Sequence, residues 1–449
     1  MFLGSDDVAH ILDPKLEAAH IVYTGVSTDT RTIEPGNLFV ALKNEKADGH
    51  DFISAAIAKG AAGIVCEREP AEYRCPAYIV DDTTIAYGKL ARAWRDRFNI
   101  PVVGVTGSVG KTSTKEMLAL TLSPLGNILK TEASQNNETG VPKTLLQLNP
   151  EHKAAIIEMG MRGRGQIEYL CQIAAPTAGV VTLIAENHIE LLGSIEEIAE
   201  SKGELLEFLS LDGVAFINAD DIYCAKLASK HRGRVVTFAV DSPAEYKADN
   251  LVFRNNSWTF EINGQMLTIA TPSRHDVSNA VTAYAVAYTF GVDPESAASA
   301  LARYEPPPMR MQIIDGASWG GTILNDAYNA APASMRAALE TLSRYGGGRK
   351  IAFLGDMREL GDYAAPAHEE LGAVIQDLGG LDALYTVGDL AAHIFGASRR
   401  FKTSEDAALF ARDELMLDKG DIILVKGSRV MEMERIASAL RNKERHDEF

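Results

Sequence analysis

The chain has 449 residues, 46% of them hydrophobic and 23% charged, and a formal net charge of -17 at pH 7. This length suggests about three domains, and the acidic balance argues against a nucleic-acid binder, which normally presents a basic face. No apolar run is long enough to cross a membrane, the N-terminus is acidic, and the four cysteines lack metal or redox spacing. We therefore expect a reduced, cytoplasmic protein that is not membrane-embedded.

The first 82 residues read as a small α/β module. Two short apolar runs, 64–66 and 78–80, are strand candidates, and residues 52–62 have helical spacing. Turn residues separate these segments.

Residues 83–308 have the pattern of a mostly parallel sheet. The buried-strand run 101–105 leads into a glycine loop and then into a helical pattern, and further buried-strand runs alternate with helical segments. Near the end, alternating apolar residues run up to Asn263-Gly264, which predicts a two-residue hairpin within an antiparallel insert.

Glu305-Pro306-Pro307-Pro308 reads as a stiff linker, because three prolines favour extended backbone. Beyond it, residues 309–449 again alternate strand and helix patterns. The absence of a GxGxxG motif gives no support for dinucleotide binding in this third part, which is predicted to be a Rossmann-like open sheet.

The strongest chemical signal is the loop Gly107-Ser108-Val109-Gly110-Lys111-Thr112 between a strand and a helix. Backbone amides and the helix dipole would face an anion there, Lys111 would reach the β and γ phosphates, and the Thr112 hydroxyl would bind Mg²⁺. The two glycines are closer together than in the common Walker spacing, and a helix cap with incidental glycines is the alternative.

Glu158 and His188 each follow a predicted strand, at the edge where open α/β sheets place their ligands. A carboxylate and a neutral imidazole are plausible groups for a magnesium site, although imidazole is softer than Mg²⁺ usually takes. A purely structural histidine is the alternative for His188.

Lys202 falls on the apolar stripe of a predicted helix. Burial would lower the pKa of its amine and leave it nucleophilic, so that it could take up CO₂ and become a carboxylate-like metal ligand. The alternative is a lysine that extends to the surface.

A third group of polar residues lies across the linker. Asp326, Tyr328 and Asn329 follow a predicted strand and would suit a ribose and an adenine, although a plain polar loop fits equally. Arg310 would reach phosphates or lie in solvent.

Together these segments resemble the Mur ligases, and within them the MurF type. The resemblance covers nearly the whole chain. It is carried, in order, by residues 27–31, 48–52, 106–115, 136–142, 158–160, 202–204, 274–279, 326–332, 354–361 and 425–429. The short Thr-Gly-x-x-Gly-Lys-Thr loop is this family's own form. The chain departs from the family's usual residues at Asn187, Thr139 and Ala327.

The resemblance implies an ATP-dependent ligase that adds D-Ala-D-Ala to UDP-MurNAc-tripeptide in peptidoglycan precursor synthesis, acting as a monomer. It implies a UDP-sugar domain at 1–82, an ATP-binding domain at 83–308, and at 309–449 a domain that closes on ATP and binds the dipeptide. Two Mg²⁺ ions would be held by Thr112, Glu158, His188 and carbamylated Lys202, and Lys111, Glu158, His188 and Lys202 would be catalytic.

The resemblance also implies binding residues. Those for ATP are Gly107, Ser108, Val109, Gly110, Lys111, Thr112, Ser113, Asn279, Arg310, Asp326, Tyr328 and Asn329. Those for the UDP-tripeptide are Ser27, Asp29, Arg31, Asp48, Gly49, His50, Asn136, Asn137, Glu138 and Thr139. Two alternatives stay open: another amide ligase of the same architecture, such as a different Mur step or a folate polyglutamating enzyme, and a P-loop module that performs no ligation.

Overall fold

The structure is a computed structural model that describes residues 3–12, 20–44, 47–70, 75–187, 189–316 and 319–443. Three mainly parallel sheets follow one another along the chain, and a small antiparallel sheet is inserted after the second. The predicted α/β class with three parts is confirmed.

The N-terminal part is built on a four-stranded parallel sheet in the order β3-β4-β5-β6, with a short antiparallel pair, β1-β2, beside it. Strands β4 and β5 are buried along their whole length, as apolar runs in a parallel sheet require. The elements are β1 (Leu3–Gly4), α1 (Ser5–Leu12), β2 (Val22–Tyr23), β3 (Gly25–Ser27), β4 (Asn37–Val40), α2 (Ile53–Ala58), β5 (Gly63–Cys66), β6 (Ala77–Ile79) and α3 (Thr83–Arg95).

The central part contains a seven-stranded parallel sheet and the insert. Its elements up to the last strand of the large sheet are β7 (Val102–Thr106), α4 (Lys111–Leu122), β8 (Asn127–Lys130), α5 (Gly140–Leu145), β9 (His152–Glu158), α6 (Gln166–Ala174), β10 (Ala178–Val181), α7 (Ile189–Leu192), α8 (Ile195–Phe208), β11 (Val214–Asn218), α9 (Ile222–Leu227), β12 (Arg234–Ala239) and β13 (Tyr246–Lys247). The elements that follow are β14 (Asp249–Arg254), β15 (Ser257–Ile262), β16 (Gln265–Ile269), α10 (His275–Thr289) and α11 (Pro294–Leu301).

The strand order of the large sheet, β13-β12-β11-β10-β7-β9-β8, places β7 where the winding direction reverses. The loops after β7, β9 and β10 therefore meet at one point of the carboxyl edge, which is where open α/β sheets bind ligands. The hairpin β15-β16 turns at Asn263 and Gly264, whose φ angles of 48° and 85° are those of a primed turn, as the sequence predicted.

The C-terminal part has a six-stranded sheet in the order β17-β18-β22-β19-β20-β21. Its edge strand β17 runs antiparallel to β18, a pairing that the sequence patterns had not indicated. Its elements are β17 (Gln312–Gly316), β18 (Gly321–Asp326), α12 (Pro332–Ser343), β19 (Lys350–Gly355), α13 (Ala364–Leu378), β20 (Ala383–Val387), β21 (Arg399–Phe401), α14 (Ser404–Asp413), β22 (Ile422–Lys426) and α15 (Glu434–Arg441).

Alternate residues of β7 pack on opposite faces of the central sheet. Val102 belongs to a core shared with the N-terminal part, whereas Val103 and Val105 pack in a core with the insert, α10 and α11. The N-terminal and central parts thus share one continuous apolar core, which fixes their relative placement. Within the described residues no helix is long and apolar enough to span a membrane, and all four cysteines are unpaired.

Candidate functional site

The glycine loop after β7 is shaped by close contact with the end of β10. A Cβ on Gly107, whose φ is 146°, would lie 1.9 Å from Thr182 Oγ1, so only glycine fits there. Thr182 Oγ1 donates to the Val109 carbonyl at 2.6 Å, and the Ser108 amide donates to the Leu183 carbonyl at 2.6 Å. Neighbouring strands therefore hold the loop in place ahead of the α4 N-terminus.

Lys111 is the first residue of α4, and Gly110 caps that helix in the left-handed region at φ 91°. The Lys111 ammonium donates to the carbonyls of Gly107 and Ser108, at 2.5 Å and 3.4 Å. Removal from water lowers the pKa of Lys111 to about 8, an effect that Glu158 opposes and Arg310 reinforces. The charge of Lys111 is thus held within the glycine loop.

Glu158 ends β9 and is almost fully buried beside the loop. Thr112 Oγ1 donates to Glu158 Oε2 at 3.1 Å, and Asn136 Nδ2 donates to Glu158 Oε1 at 2.8 Å. The hydroxyl and the carboxylate that the sequence assigned to one magnesium ion therefore converge, and both are oxygen donors of the kind that Mg²⁺ prefers.

Lys202 lies on α8 with 2% of its surface exposed, which confirms the burial predicted from its position on the apolar stripe. Burial, reinforced by the charge of Lys111, lowers the pKa of Lys202 well below its usual value. The amine lines the same cavity as the glycine loop. A neutral, nucleophilic amine in a cavity is the form that reacts with CO₂.

His188, the other predicted metal ligand, lies outside the described residues. Its neighbour Asn187 lines the cavity, and the buried Asn187 Oδ1 has no hydrogen-bond partner among the residues described. A buried amide oxygen without a donor is an acceptor that a cation would satisfy.

The C-terminal part reaches the site through Arg310 and Tyr328. Arg310 Cζ lies 3.9 Å from the centroid of the Tyr328 ring, and the Tyr328 hydroxyl contacts Ser134 Oγ of the central part. Met309 and Met311, on either side of Arg310, have φ angles of 60° and 50°, which non-glycine residues rarely adopt. Such local strain is concentrated at functional sites.

Asn279 of α10 packs under the glycine loop. Its Oδ1 accepts from Thr114 Oγ1 at 3.0 Å, and a Cβ on Gly110 would approach that oxygen to 2.7 Å. Asp276 in turn accepts from Asn279 Nδ2 at 3.0 Å and from Thr271 Oγ1 at 2.7 Å. This buried network supports the loop from below.

Asp276→Asn is expected to change how stability depends on pH. Burial raises the pKa of Asp276 to about 6, so the wild-type fold loses stability as pH rises from its ordinary pKa near 3.8 through 6. The asparagine variant lacks this loss, so between pH 4 and 7 its unfolding free energy, relative to that of the wild type, should rise by about 2 kcal/mol. Chemical unfolding at several pH values measures this difference, and parallel pH profiles would contradict it.

One cavity of about 990 Å³ joins the main residues of this site. It takes in the whole loop from Gly107 to Ser113, both Asn136 and Asn137, Glu158 and Lys202, together with residues on the far side of the linker. The predicted ATP residues that line it from outside the loop are Asn279, Arg310, Asp326, Tyr328 and Asn329.

Known proteins match the chain along most of its length. Residues 22–103, 105–287 and 309–429 match the Mur ligase family catalytic domain, the Mur ligase middle domain and the Mur ligase glutamate ligase domain. The UDP-N-acetylmuramoyl-tripeptide–D-alanyl-D-alanine ligase of Synechocystis sp. is 38% identical over 92% of this chain and 91% of its own. MurF from Acinetobacter baumannii superimposes with a TM-score of 0.90 at 29% identity, over 99% of both chains. The chain belongs to the Mur ligase family, MurF type.

A second solved MurF bears on the nucleotide. MurF from Thermotoga maritima, determined in complex with ADP, has a TM-score of 0.84 and 28% identity and covers 93% of this chain and 97% of its own. The family to which this MurF-type chain belongs therefore includes a member that binds ADP.

The N-terminal substrate candidates lie away from the cavity walls. Asp29 and Arg31 pair with each other, with Arg31 Nη2 2.6 Å from Asp29 Oδ2, at the surface. His50 is buried, and both of its ring nitrogens have partners: Nδ1 is 2.6 Å from Asp48 Oδ1, and Nε2 accepts from the Glu67 amide at 2.8 Å. Gly49 packs against backbone, since a Cβ there would lie 2.5 Å from the Leu42 carbonyl oxygen.

Some of the other substrate candidates line the cavity and some do not. Asn136, Asn137 and Glu138 line the cavity, whereas Ser27 lies in the N-terminal sheet and Thr139 precedes α5 without lining the cavity. Their binding roles in this MurF-type chain stay predictions.

Two lysines of the site were not assigned a role from the sequence. Lys426 ends β22 beside Asp326, is 3% exposed, and donates to Asp326 Oδ2 at 2.5 Å and to the Asn329 carbonyl at 2.9 Å. The sequence did contain a signal for Lys426, because a charged residue directly follows the apolar run of β22. The other, Lys115, is fully buried on α4.

Proposed function

We propose that this chain is the ATP-dependent ligase that adds D-Ala-D-Ala to UDP-MurNAc-tripeptide, giving the UDP-MurNAc-pentapeptide, ADP and phosphate. The observation that carries the proposal is the cavity, whose walls combine a phosphate loop, a buried carboxylate and residues from both flanking parts. The relatives that match over most of the chain are named for this reaction.

The chemistry follows from the need to activate a carboxylate. The terminal carboxylate of the tripeptide attacks the γ-phosphorus of ATP, forming an acyl phosphate as the bond to the ADP oxygen breaks. The amine of the dipeptide then attacks the acyl carbon, loses a proton, and phosphate leaves. Lys111, held within the glycine loop, offsets the repulsion between the anionic partners and the charge that develops on the phosphoryl oxygens.

Thr112 and Glu158 converge as oxygen ligands for one magnesium ion, and we propose a second ion beside Lys202. Thr112 and Glu158 would hold the first, and His188 and a carbamylated Lys202 the second, with the unpartnered Asn187 Oδ1 nearby as an oxygen donor. When bound, the ions supply Lewis-acid charge to the phosphate oxygens. The Lys202 carbamate would form when the neutral amine attacks CO₂ and releases a proton. The hydrogen bond from Asn136 Nδ2 would keep the Glu158 carboxylate oriented toward the first ion.

We infer that the adenosine binds where the C-terminal part faces α10 of the central part. Tyr328 would contact the adenine, Asp326, Asn329 and Asn279 would border the nucleoside, and Arg310 would approach the phosphates. Arg310 already lies against the Tyr328 ring at the cavity wall. Closure of residues 309–449 about the 305–308 linker would keep water from the acyl phosphate.

We infer that the UDP-sugar binds on the N-terminal side, residues 1–82, with Ser27, Asp29, Arg31 and the 48–50 segment as its binding groups. The tripeptide would then extend along Asn136–Thr139 toward the phosphate loop. The cavity also reaches this side, since Asp82 and Thr84, at the start of α3, line it. We propose that the chain acts as a monomer in the cytoplasm, where its nucleotide substrates are found.

Phosphate release is the test of this reaction. We expect release from ATP only when a UDP-tripeptide and D-Ala-D-Ala are both present, because the acyl phosphate needs the carboxylate to form and the amine to turn over. A coupled phosphate assay with UDP-tripeptides ending in lysine and in diaminopimelate, each with and without the dipeptide, measures this dependence.

Two outcomes would contradict the proposal. Equal ATP hydrolysis with either partner left out would indicate a nucleotide-driven module that performs no ligation. Turnover with glutamate or a single amino acid in place of the dipeptide would indicate another ligase of the same architecture.

A further inference from the structure

Lys115 is a fully buried lysine with three polar contacts and no role in the reaction described so far. It lies on α4 one turn after Lys111. Its Nζ is 3.7 Å from Glu158 Oε2 and 3.3 Å from Glu116 Oε1, and it donates to the Ala133 carbonyl at 3.1 Å. A buried ammonium is costly unless it is paired, so these contacts define its position.

The Glu158 contact connects Lys115 to the nucleotide site. The same oxygen, Oε2, accepts from Thr112 Oγ1 at 3.1 Å, while Oε1 accepts from Asn136 at 2.8 Å. Lys115 thus shares its carboxylate oxygen with the hydroxyl proposed to hold magnesium. An ammonium on that oxygen both fixes the carboxylate and opposes a second cation there.

The Ala133 contact connects Lys115 to the opposite wall of the cavity. Ala133 has a φ of 48°, a strained value for alanine, and its carbonyl is held by the Lys115 ammonium. The next residue, Ser134, contacts Tyr328, and Asn136 follows two positions later. The short loop between β8 and α5 is therefore fixed by Lys115 where it meets the C-terminal part.

Glu116 is a second carboxylate that contacts Lys115. One of its oxygens faces Lys115, and the other contacts Lys130, which is partly exposed. The buried ammonium is consequently attracted by two carboxylates, Glu116 and Glu158, and the balance between them sets how strongly it opposes a cation at Glu158.

We propose that Lys115 is a positioning residue for the ligase reaction: it orients Glu158 and the 131–137 loop together, and its charge, balanced by Glu116, sets the affinity of the nucleotide site for magnesium. This inference rests on the proposed function only for the rate measurement. Binding of ADP and magnesium needs neither the UDP-tripeptide nor the dipeptide.

The binding test compares two substitutions with opposite expected effects. Lys115→Met removes the competing cation, so the Mg²⁺ concentration that half-saturates ADP binding should fall by about three- to tenfold. Glu116→Gln leaves the ammonium to Glu158 alone, so that concentration should rise by about as much. Lys153→Met, the same substitution at an exposed lysine of β9, is the matched control and should leave it unchanged.

The rate test separates positioning from a structural ion pair. Lys115→Met should lower kcat by about 10- to 100-fold, as loss of groups that orient metal ligands does, with a smaller change in KM for ATP. Lys115→Arg, which keeps the charge, should retain the wild-type Mg²⁺ dependence and recover part of kcat.

Several results would overturn the inference. If Lys115→Met alters only the melting temperature while kcat and the Mg²⁺ dependence stay at wild-type values, the lysine is a structural ion pair. If Lys115→Met does not fold, the conservative Glu116→Gln decides alone, and an unchanged or lowered Mg²⁺ requirement there rejects the electrostatic role. If the chain used a different amine from D-Ala-D-Ala, the proposed function would be wrong, but the shifts in the Mg²⁺ dependence of ADP binding would still be seen. Failure of the proposed function can therefore be told apart from failure of this inference.

Discussion

Lys111→Met is expected to lower kcat by about 10²- to 10³-fold, the range found when one preorganised electrostatic group is removed from an active site. The ammonium lies within the loop, 2.5 Å from the Gly107 carbonyl, where it would face the phosphates of a bound nucleotide. Phosphate release with saturating substrates measures the loss. Lys89→Met, an exposed lysine of α3, is the matched control.

The pH dependence of nucleotide binding is a second measurement for the same residue. Because the pKa of Lys111 is about 8, the free protein loses this positive charge as pH rises through 8, and ADP affinity should fall over that interval. Lys111→Arg keeps its charge and should remove this part of the pH dependence. A Lys111→Met variant with wild-type turnover would contradict the role given to the loop.

Lys202→Ala is expected to lower kcat by about 10²-fold or more, because it removes the group proposed to carry a carbamate at the second metal. Short carboxylic acids such as acetate should restore part of the rate, since they supply a carboxylate in the space left by the side chain. The same acids should not affect Lys89→Met.

Lys202→Arg distinguishes the carbamate from a simple positive charge. Arginine keeps the charge but does not form a carbamate, so this variant should be as inactive as the alanine variant. A carbamate signal in the ¹³C spectrum of protein kept under labelled CO₂ gives direct evidence. Full activity of Lys202→Arg, or of Lys202→Ala without added acid, would reject the carbamate.

Much of the fold was predictable because it depends on short-range patterns. Buried apolar runs such as those that became β7 and β9 predicted a parallel sheet, and Asn263-Gly264 predicted the hairpin that the structure contains. The antiparallel edge strand β17 was missed, because Gln312–Gly316 carries an alternation too weak to separate from a loop. Its pairing with β18 is a long-range contact that no local pattern records.

The candidate site, like the fold, combines local features with long-range contacts. The glycine loop and the position of Lys202 on an apolar helix face are local features, so the sequence by itself determined that a glycine loop precedes a helix and that Lys202 would be buried. Only the tertiary structure decided that Lys426 pairs with Asp326, that Tyr328 meets Ser134, and that Lys115 contacts both Glu158 and Ala133. Those pairs join residues on different elements, and parallel strand order with side-chain packing, rather than spacing along the chain, brings their charges together.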